Sequence, residues 1–138
     1  MERVAALAKP RLVAWMVSSC ETPSRREDYV RELQKYIAVD IFGKCGNRTC
    51  GAWNSKECNG FLEQGYKFYL SFENSLCRDY VTEKFYRQLG LDIVPVVRGG
   101  ANYSQLAPPG SYIDTRSGWA VIYRERFQNI CERLSQVC

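Results

Sequence analysis

The stretch YKFYLSFENSLCRDYVTEK, residues 66–84, decides the fold that this sequence predicts. Residues 68–72 within it form an almost unbroken apolar and aromatic run, which is typical of a strand buried on both faces of a sheet, and we predict the strand at residues 67–72. The polar residues 73–75 then favour a turn. We predict that a helix follows up to about Leu89 and that Asp79 caps its first free backbone N–H groups.

The strand, the polar turn and the capped helix together predict an anion-binding site. Free backbone N–H groups and the positive end of the helix dipole point the same way at such a junction. The predicted helix has an apolar stripe that begins at Val81 and recurs at i+4 and i+8, so this face is expected to lie on the sheet. Tyr80, Glu83 and Lys84 share another face, which we expect near the mouth of the site.

The rest of the chain alternates predicted strands with predicted helices. The other strands are expected at residues 12–18, 37–42, 92–97 and 112–114, and the other helices at residues 25–36, 57–64, 103–107 and 119–137. This alternation predicts an α/β fold, a Rossmann-like parallel sheet with helices on both faces. Ligands bind beyond the carboxyl ends of such strands, where Ser18, Asn74 and Arg98 are expected.

Composition limits the classes of function. The 138 residues are enough for a domain with a core, and 46% of them are hydrophobic, which argues against disorder. The net charge of +4 is spread along the chain without the basic runs of a nucleic-acid or membrane patch. We therefore expect no nucleic-acid partner; a small phosphorylated ligand and an ordinary surface fit the charge equally well.

The cysteines indicate an oxidising compartment. There are seven cysteines and no histidine, and Cys45, Cys50 and Cys58 cluster in one predicted loop. Without histidine or a C-x-x-C pair we expect disulfides and no metal site. The sequons at Asn47 and Asn102 agree with this compartment and are candidate glycosylation sites. The odd count leaves at least one thiol free or paired outside the chain.

The segment FENSLCRDYVTEK resembles the signature of the α-1,3-fucosyltransferases, glycosyltransferase family 10. The similarity extends from about residue 13 to residue 114 and includes VAWMVSS, RELQKYIAVDIFGKCGN, VPVV and PPGSYID. It implies the C-terminal, donor-binding half of a two-domain glycosyltransferase of the GT-B type. Residues 1–118 would then be the GDP-fucose-binding Rossmann-like domain, and residues 119–138 a divergent C-terminal helix.

The resemblance also implies the chemistry of the site. Fucosyl transfer builds charge on the departing GDP, so the diphosphate needs cations. Lys84 is the first candidate and Arg26 the second; Glu83 and Asn74 suit ribose or fucose hydroxyls, and Tyr80 suits a hydrogen bond or an aromatic wall. No metal or other cofactor is expected. The alternatives are solvated surface charges at Lys84, Glu83 and Arg26, and a turn cap at Asn74.

The family resemblance implies more than this chain carries. It implies inverting transfer of L-fucose to N-acetylglucosamine of glycoprotein N-glycans by a type II membrane protein of the Golgi lumen. Its catalytic base is a carboxylate on the first domain, which is absent here.

No secretory signal is evident, and the apolar run at residues 12–17 is too short to span a bilayer. We therefore interpret the chain as a fragment or truncated product that is inactive alone. A catalytically inactive remnant and a secreted disulfide-stapled binding module are the alternatives.

Two positions depart from the family pattern. Arg98 precedes Gly99-Gly100 where relatives have an apolar residue, so its cation is expected either to help the diphosphate or to distort the turn. Gln128 occupies the place of the first cysteine of a late cysteine pair, which leaves the usual disulfide there in question.

Overall fold

The structure of the protein is a computed structural model that describes residues 8–116. The strands are β1 (Arg11–Met16), β2 (Val39–Phe42), β3 (Tyr66–Phe72), β4 (Val94–Arg98) and β5 (Ile113–Asp114). The helices are α1 (Arg26–Leu33), α2 (Lys56–Gly65) and α3 (Glu83–Leu89), with a 3₁₀ turn at Tyr103–Gln105. The predicted C-terminal helix, the boundary at residue 118 and Gln128 lie outside the described residues.

The strands form one parallel sheet in the order β2-β1-β3-β4-β5. β3 is the central strand, with Phe68 beside Val13 of β1 and beside Val94 of β4. Five of its seven residues are buried, as a strand covered on both faces requires. The predicted parallel α/β fold is therefore confirmed.

Helices cover both faces of the sheet. Tyr29 and Leu33 of α1 share an apolar cluster with Phe72 of β3. Leu62 of α2 shares a second cluster with Tyr69, whose side chain points to the opposite face of β3. Burial of each of these large side chains contributes roughly 1.5–3 kcal/mol to folding.

α3 lies on the same face as α2. Phe85 of α3 packs in a cluster with Val97 of β4, whereas the adjacent Val96 belongs to the cluster under α1. Neighbouring residues of a strand point to opposite faces, so α1 and α3 are on opposite sides of the sheet. This arrangement places the loops after β1 and β3 on either side of a cleft at the carboxyl end of the sheet.

The motif helix begins later than predicted. α3 starts at Glu83, and its N-cap is Thr82, whose side chain accepts a hydrogen bond from the Lys84 N–H. Asp79 is in the left-handed region, with φ of 62°, and its N–H donates to the carbonyl of Gly100 (3.2 Å). The prediction of Asp79 as the cap was wrong because this contact with the loop after β4 keeps residues 79–82 out of the helix. Tyr80 and Val81 precede the helix, but Val81 packs against the same apolar cluster as Phe85 and Leu89, as the predicted apolar face requires.

Disulfides join the loops around the cleft. Cys20, after β1, is bonded to Cys45, after β2, and Cys50 is bonded to Cys58 in α2. Cys77 is also disulfide-bonded. The predicted disulfides are thus confirmed, and such cross-links stabilise a fold by limiting the freedom of the unfolded chain. Within residues 8–116, no helix combines the length and apolar character needed to cross a bilayer.

Candidate functional site

A cavity of about 440 Å³ opens at the carboxyl ends of β1, β2 and β3. With the strand order 2-1-3-4-5, the chain reverses its direction of winding between β1 and β3, and ligands of such sheets bind at that point. Predicted site residues that line the cavity come from the loop before α3, α3 itself and the start of α1: Asn74, Glu83, Lys84 and Arg26. The polar Ser18 and Ser19, after β1, line it as well.

Tyr80 is the remaining predicted site residue, and it reaches the site through Asn74. Its hydroxyl donates to the Asn74 side-chain oxygen over 2.9 Å. This bond uses one lone pair of the Asn74 oxygen and leaves the amide NH₂ of Asn74 to donate to a ligand oxygen. The backbone carbonyl of Asn74 also accepts from the Ser24 N–H (2.9 Å), so the loop after β3 is tied to the loop before α1.

Lys84 lies between polar groups of its own segment. Its ammonium is 3.6 Å from the Glu83 carboxylate, 3.9 Å from the Glu73 carboxylate and 3.3 Å from the Thr82 hydroxyl. The Lys84 side chain is 24% exposed, which is less than expected of a solvated surface lysine. The arrangement presents a partly desolvated cation to the cavity, as the binding of an anionic group requires.

Glu83 carries a carboxylate stabilised in its ionised form. Desolvation by itself raises the pKa of Glu83, but its own backbone N–H, the Lys84 ammonium and the Thr82 hydroxyl lower this pKa to below the ordinary value. Glu83 is therefore a hydrogen-bond acceptor at neutral pH, the character needed to bind sugar hydroxyls.

Arg26 is buried, in contrast to the surface-charge alternative. Its guanidinium donates to the carbonyls of Phe72 (2.8 Å) and Ser19 (3.4 Å), and it lies 5.7 Å from the centre of the Trp15 ring. Burial lowers the pKa of Arg26, although Glu27 and Glu73 oppose this shift. Arg26 therefore joins the ends of β1 and β3 while it also borders the cavity.

Arg98 packs inside the fold and not in the cavity. It is buried, donates to the carbonyl of Ser24 (3.2 Å) and lies 5.3 Å from the centre of the Tyr29 ring. It is not among the residues that line the cavity. The following Gly99 accommodates a close approach, since a Cβ there would overlap the hydroxyl of Tyr103. The cation thus packs under α1, beside Tyr29 and the loop before α1.

Two features around the site were not predicted: the burial of Glu73 and the role of Thr82 as the helix cap. Glu73 is fully buried, although a polar residue directly after a strand usually belongs to an exposed turn. Thr82 caps α3 and contacts both Glu73 and Lys84. A threonine followed by glutamate is a typical helix start, so the sequence did contain a signal for Thr82. No local pattern signals the burial of Glu73.

The predicted glycosylation sites are exposed. Asn47 lies in the loop after β2, and Asn102 precedes the 3₁₀ turn, where its side-chain oxygen accepts from Ser104 (2.6 Å). Both positions are accessible; their modification stays a prediction. Residues 8–116 contain no group of three or more His, Cys, Asp or Glu side chains placed to hold a metal ion.

A parallel sheet with a polar cavity at its switch point is an arrangement that nucleotide-binding α/β domains commonly use, and this chain has it. Residues 6–120 match the family model described as glycosyltransferase family 10 (fucosyltransferase), C-terminal. The chain therefore belongs to this fucosyltransferase family, and the resemblance carried by FENSLCRDYVTEK is confirmed.

Known relatives agree with this assignment. The chain is 49% identical over 106 residues to alpha-(1,3)-fucosyltransferase C of Drosophila melanogaster, covering 77% of this chain and 25% of that protein. It is 42% identical over 104 residues to GDP-fucose protein O-fucosyltransferase 3 of Xenopus tropicalis, covering 70% of this chain and 22% of that protein. The chain thus spans about a quarter of the length of these relatives.

The fold also matches a solved structure. A crystal structure of an alpha1,3-fucosyltransferase with GDP-fucose superposes with a TM-score of 0.66 and 24% sequence identity. The match covers 95% of this chain and 39% of that one. It supports the α/β fold with a parallel sheet that the structure shows.

Proposed function

We propose that residues 1–118 form the donor-binding domain of an α-1,3-fucosyltransferase and that the cavity holds the GDP part of GDP-fucose. The observation that carries this proposal is the position of Lys84. Its partly desolvated ammonium borders a cavity at the β1–β3 switch point, where sheets of this order bind nucleotides. The family membership and the solved relative with GDP-fucose support the same ligand.

Lys84 and Arg26 act on the leaving group in this proposal. When the bond between fucose and the diphosphate breaks, negative charge grows on the diphosphate oxygens. A fixed cation stabilises that charge more than it stabilises the intact donor, and loss of such a contact costs about 10²–10³ in rate. Lys84 contacts the diphosphate directly, and Arg26 adds positive potential from the start of α1.

Glu83, Asn74 and Tyr80 bind hydroxyls of the donor. The ionised Glu83 accepts hydrogen bonds from ribose or fucose hydroxyls. The amide NH₂ of Asn74 donates a hydrogen bond to a donor hydroxyl, while the amide oxygen accepts from the Tyr80 hydroxyl. These contacts orient the sugar, and orientation is a large part of the rate enhancement that a transferase obtains.

The acceptor in this proposal is N-acetylglucosamine of glycoprotein N-glycans, and the transfer inverts the anomeric carbon. The base that removes the proton of the acceptor hydroxyl comes from a first domain outside this chain. The 138-residue chain therefore binds GDP but transfers no fucose by itself. A transfer assay with labelled GDP-fucose tests this statement, and turnover by the chain alone would contradict it.

The complete protein acts in the Golgi lumen, as a type II membrane protein. The disulfides Cys20–Cys45 and Cys50–Cys58 support an oxidising compartment. The exposed sequon residues Asn47 and Asn102 agree with it. Microscopy of the complete, tagged protein with a Golgi marker tests the location; a cytosolic signal would contradict it.

A second function is fucosylation of a protein oxygen, and the observation in its favour is the relative from Xenopus tropicalis. The α-1,3-fucosyltransferase from Drosophila melanogaster is more similar, so glycan transfer is the first choice. Both functions need the same donor cavity. Transfer by the complete enzyme to an N-glycan or to an unglycosylated protein acceptor distinguishes the two.

The experiment that tests the donor site is calorimetry with GDP on the chain and on Lys84→Ala. A charge-assisted hydrogen bond to phosphate predicts an affinity roughly 10- to 100-fold lower for the variant. Lys35→Ala is the matched control, because Lys35 is an exposed lysine that pairs with Glu32 outside the cavity. Equal affinities of wild type and Lys84→Ala would refute the assigned site. Failure of wild type to bind GDP would favour an inactive remnant.

A further inference from the structure

The Thr82 hydroxyl stands at the centre of the contacts that hold Lys84. It donates to the Glu73 carboxylate over 2.7 Å and accepts from the backbone N–H of Lys84 over 3.4 Å. It also accepts from the Lys84 ammonium over 3.3 Å. One hydroxyl thus connects a buried carboxylate, the first turn of α3 and the cation of the cavity.

The direction of the hydroxyl proton follows from the partners of Thr82. The backbone N–H and the ammonium of Lys84 are both donors, so the hydroxyl proton is donated to Oε1 of Glu73. A hydroxyl has one proton and two lone pairs, and both lone pairs then remain for the two nitrogens of Lys84. The second oxygen of Glu73 accepts from the Thr82 N–H over 2.8 Å, which fixes the residue from its backbone as well.

Glu73 itself is held firmly. Its side chain is fully buried, its N–H donates to the carbonyl of Arg98 (2.9 Å), and its carbonyl accepts from the Ser24 hydroxyl (2.7 Å). A Cβ on Gly99 would lie 3.1 Å from Cγ of Glu73, so the neighbouring loop packs closely against it. Glu73 is therefore a fixed reference point from which Thr82 is oriented.

We propose that Thr82 and Glu73 are positioning residues for the donor site: the carboxylate of Glu73 orients the Thr82 hydroxyl, which holds the Lys84 ammonium in the place where it meets the diphosphate. This inference rests on the proposed role of Lys84. Neither residue needs to touch the donor, and Thr82 is not among the residues that line the cavity.

Thr82→Val tests the proposal without a change of charge. Valine keeps the shape of threonine but removes the hydroxyl, and Thr82→Ser restores it. We expect Thr82→Val to bind GDP roughly three- to tenfold more weakly, the effect of one hydrogen bond, and Thr82→Ser to recover most of the loss. Guanosine affinity, measured by an NMR titration, should be unchanged in both variants because guanosine has no diphosphate.

The comparison of the two ligands separates positioning from folding. A variant that simply unfolds would lose guanosine binding as well as GDP binding. Unchanged GDP affinity in Thr82→Val, or an equal loss for GDP and guanosine, would overturn the proposal.

The double variant Thr82→Val with Lys84→Ala tests whether Thr82 acts through Lys84. If it does, the second substitution lowers GDP affinity no further than Lys84→Ala alone. Additive losses would overturn the inference and leave the donor site intact. An unaffected Lys84→Ala would overturn the proposed function itself, so the two failures are distinguishable.

Glu73→Gln tests the Glu73 end of the hydrogen-bond network that runs through Thr82 to Lys84. Glutamine keeps the size of the side chain but places an NH₂ donor beside Thr82, which disturbs the direction of the hydroxyl proton. We expect weaker GDP binding with unchanged guanosine binding. Loss of a nearby negative charge alone would instead tighten GDP binding, and that result would overturn the role of Glu73.

Discussion

β3 and the segment that follows it, residues 73–82, differ in what determines their structure. β3 is an almost unbroken run of apolar and aromatic residues, and it forms a largely buried strand with nearly the predicted bounds. The following segment has polar residues, yet it contains a fully buried carboxylate and a late helix start. Its hydrogen-bond partners lie far away in sequence: Ser24 is 49 residues from Glu73.

The comparison shows that local pattern and long-range contact act on different parts of one motif. Burial of a strand on both faces of a sheet is encoded by a run of adjacent apolar residues. The conformation of the segment after β3 depends instead on the loops after β4 and before α1, which reach it only in the folded state. Each of the following predictions perturbs one of these two regions, either directly or through the loop after β4 that contacts it.

The largest effect is expected from Phe72→Ala in β3. Phe72 is fully buried and lies edge-on to Tyr29, with ring centroids 5.2 Å apart. We expect a loss of about 3–5 kcal/mol in the free energy of unfolding, because the substitution leaves a cavity between the sheet and α1. Urea unfolding followed by circular dichroism measures it. Leu106→Ala is the control, since Leu106 is 38% exposed; a loss as small as that of the control would contradict the assigned core.

A smaller effect is expected from Gly100→Ala. A Cβ at this position would overlap the carbonyl oxygens of Leu76 and Cys77. The segment after β3 must move to admit the methyl group, and we expect a loss of about 1–3 kcal/mol, as overpacking usually costs. Gly60→Ala is the matched control, because its Cβ would meet no atom within 4 Å. Thermal unfolding that does not separate the two variants would show that the close contact is absent.

The smallest effect is expected from Asp79→Gly. Asp79 has a φ of 62°, so glycine suits its backbone, and it does not cap α3. We expect a change in unfolding free energy of at most about 0.5 kcal/mol. Alanine at this positive φ would add backbone strain unrelated to capping, so glycine is the variant for Asp79. Thr82→Ala, compared with Asp79→Gly by urea unfolding, tests the cap: we expect a loss of about 1 kcal/mol or more for Thr82→Ala, and no loss would contradict the cap at Thr82.

Most of the architecture could be predicted from the sequence, because strands and helices alternate with clear apolar periods. The bounds were less predictable: α1 is shorter than expected, and α3 begins at Glu83. Lys84, Glu83 and Asn74 were named from the motif, and Arg26 from its place after the first strand; the fold brings all four to one cavity. Their role in donor binding stays a prediction.

The parts that could not be predicted depend on partners distant in sequence. The burial of Glu73 follows from the packing of Gly99 and from bonds to Arg98 and Ser24. The position of the cap at Thr82 follows from the hydrogen bond between Asp79 and Gly100, because that bond keeps residues 79–82 out of the helix. No periodic pattern contains such contacts, and a polar residue in a turn looks the same whether it is solvated or buried.

The central claim is that the ammonium of Lys84 meets a diphosphate in the cavity between the ends of β1 and β3. A crystal structure of the chain with GDP tests it most directly. We predict a diphosphate oxygen within about 3 Å of the Lys84 ammonium, with Asn74 and Glu83 on the ribose side. A bound GDP whose diphosphate lies away from Lys84, or that occupies another surface, would contradict the account.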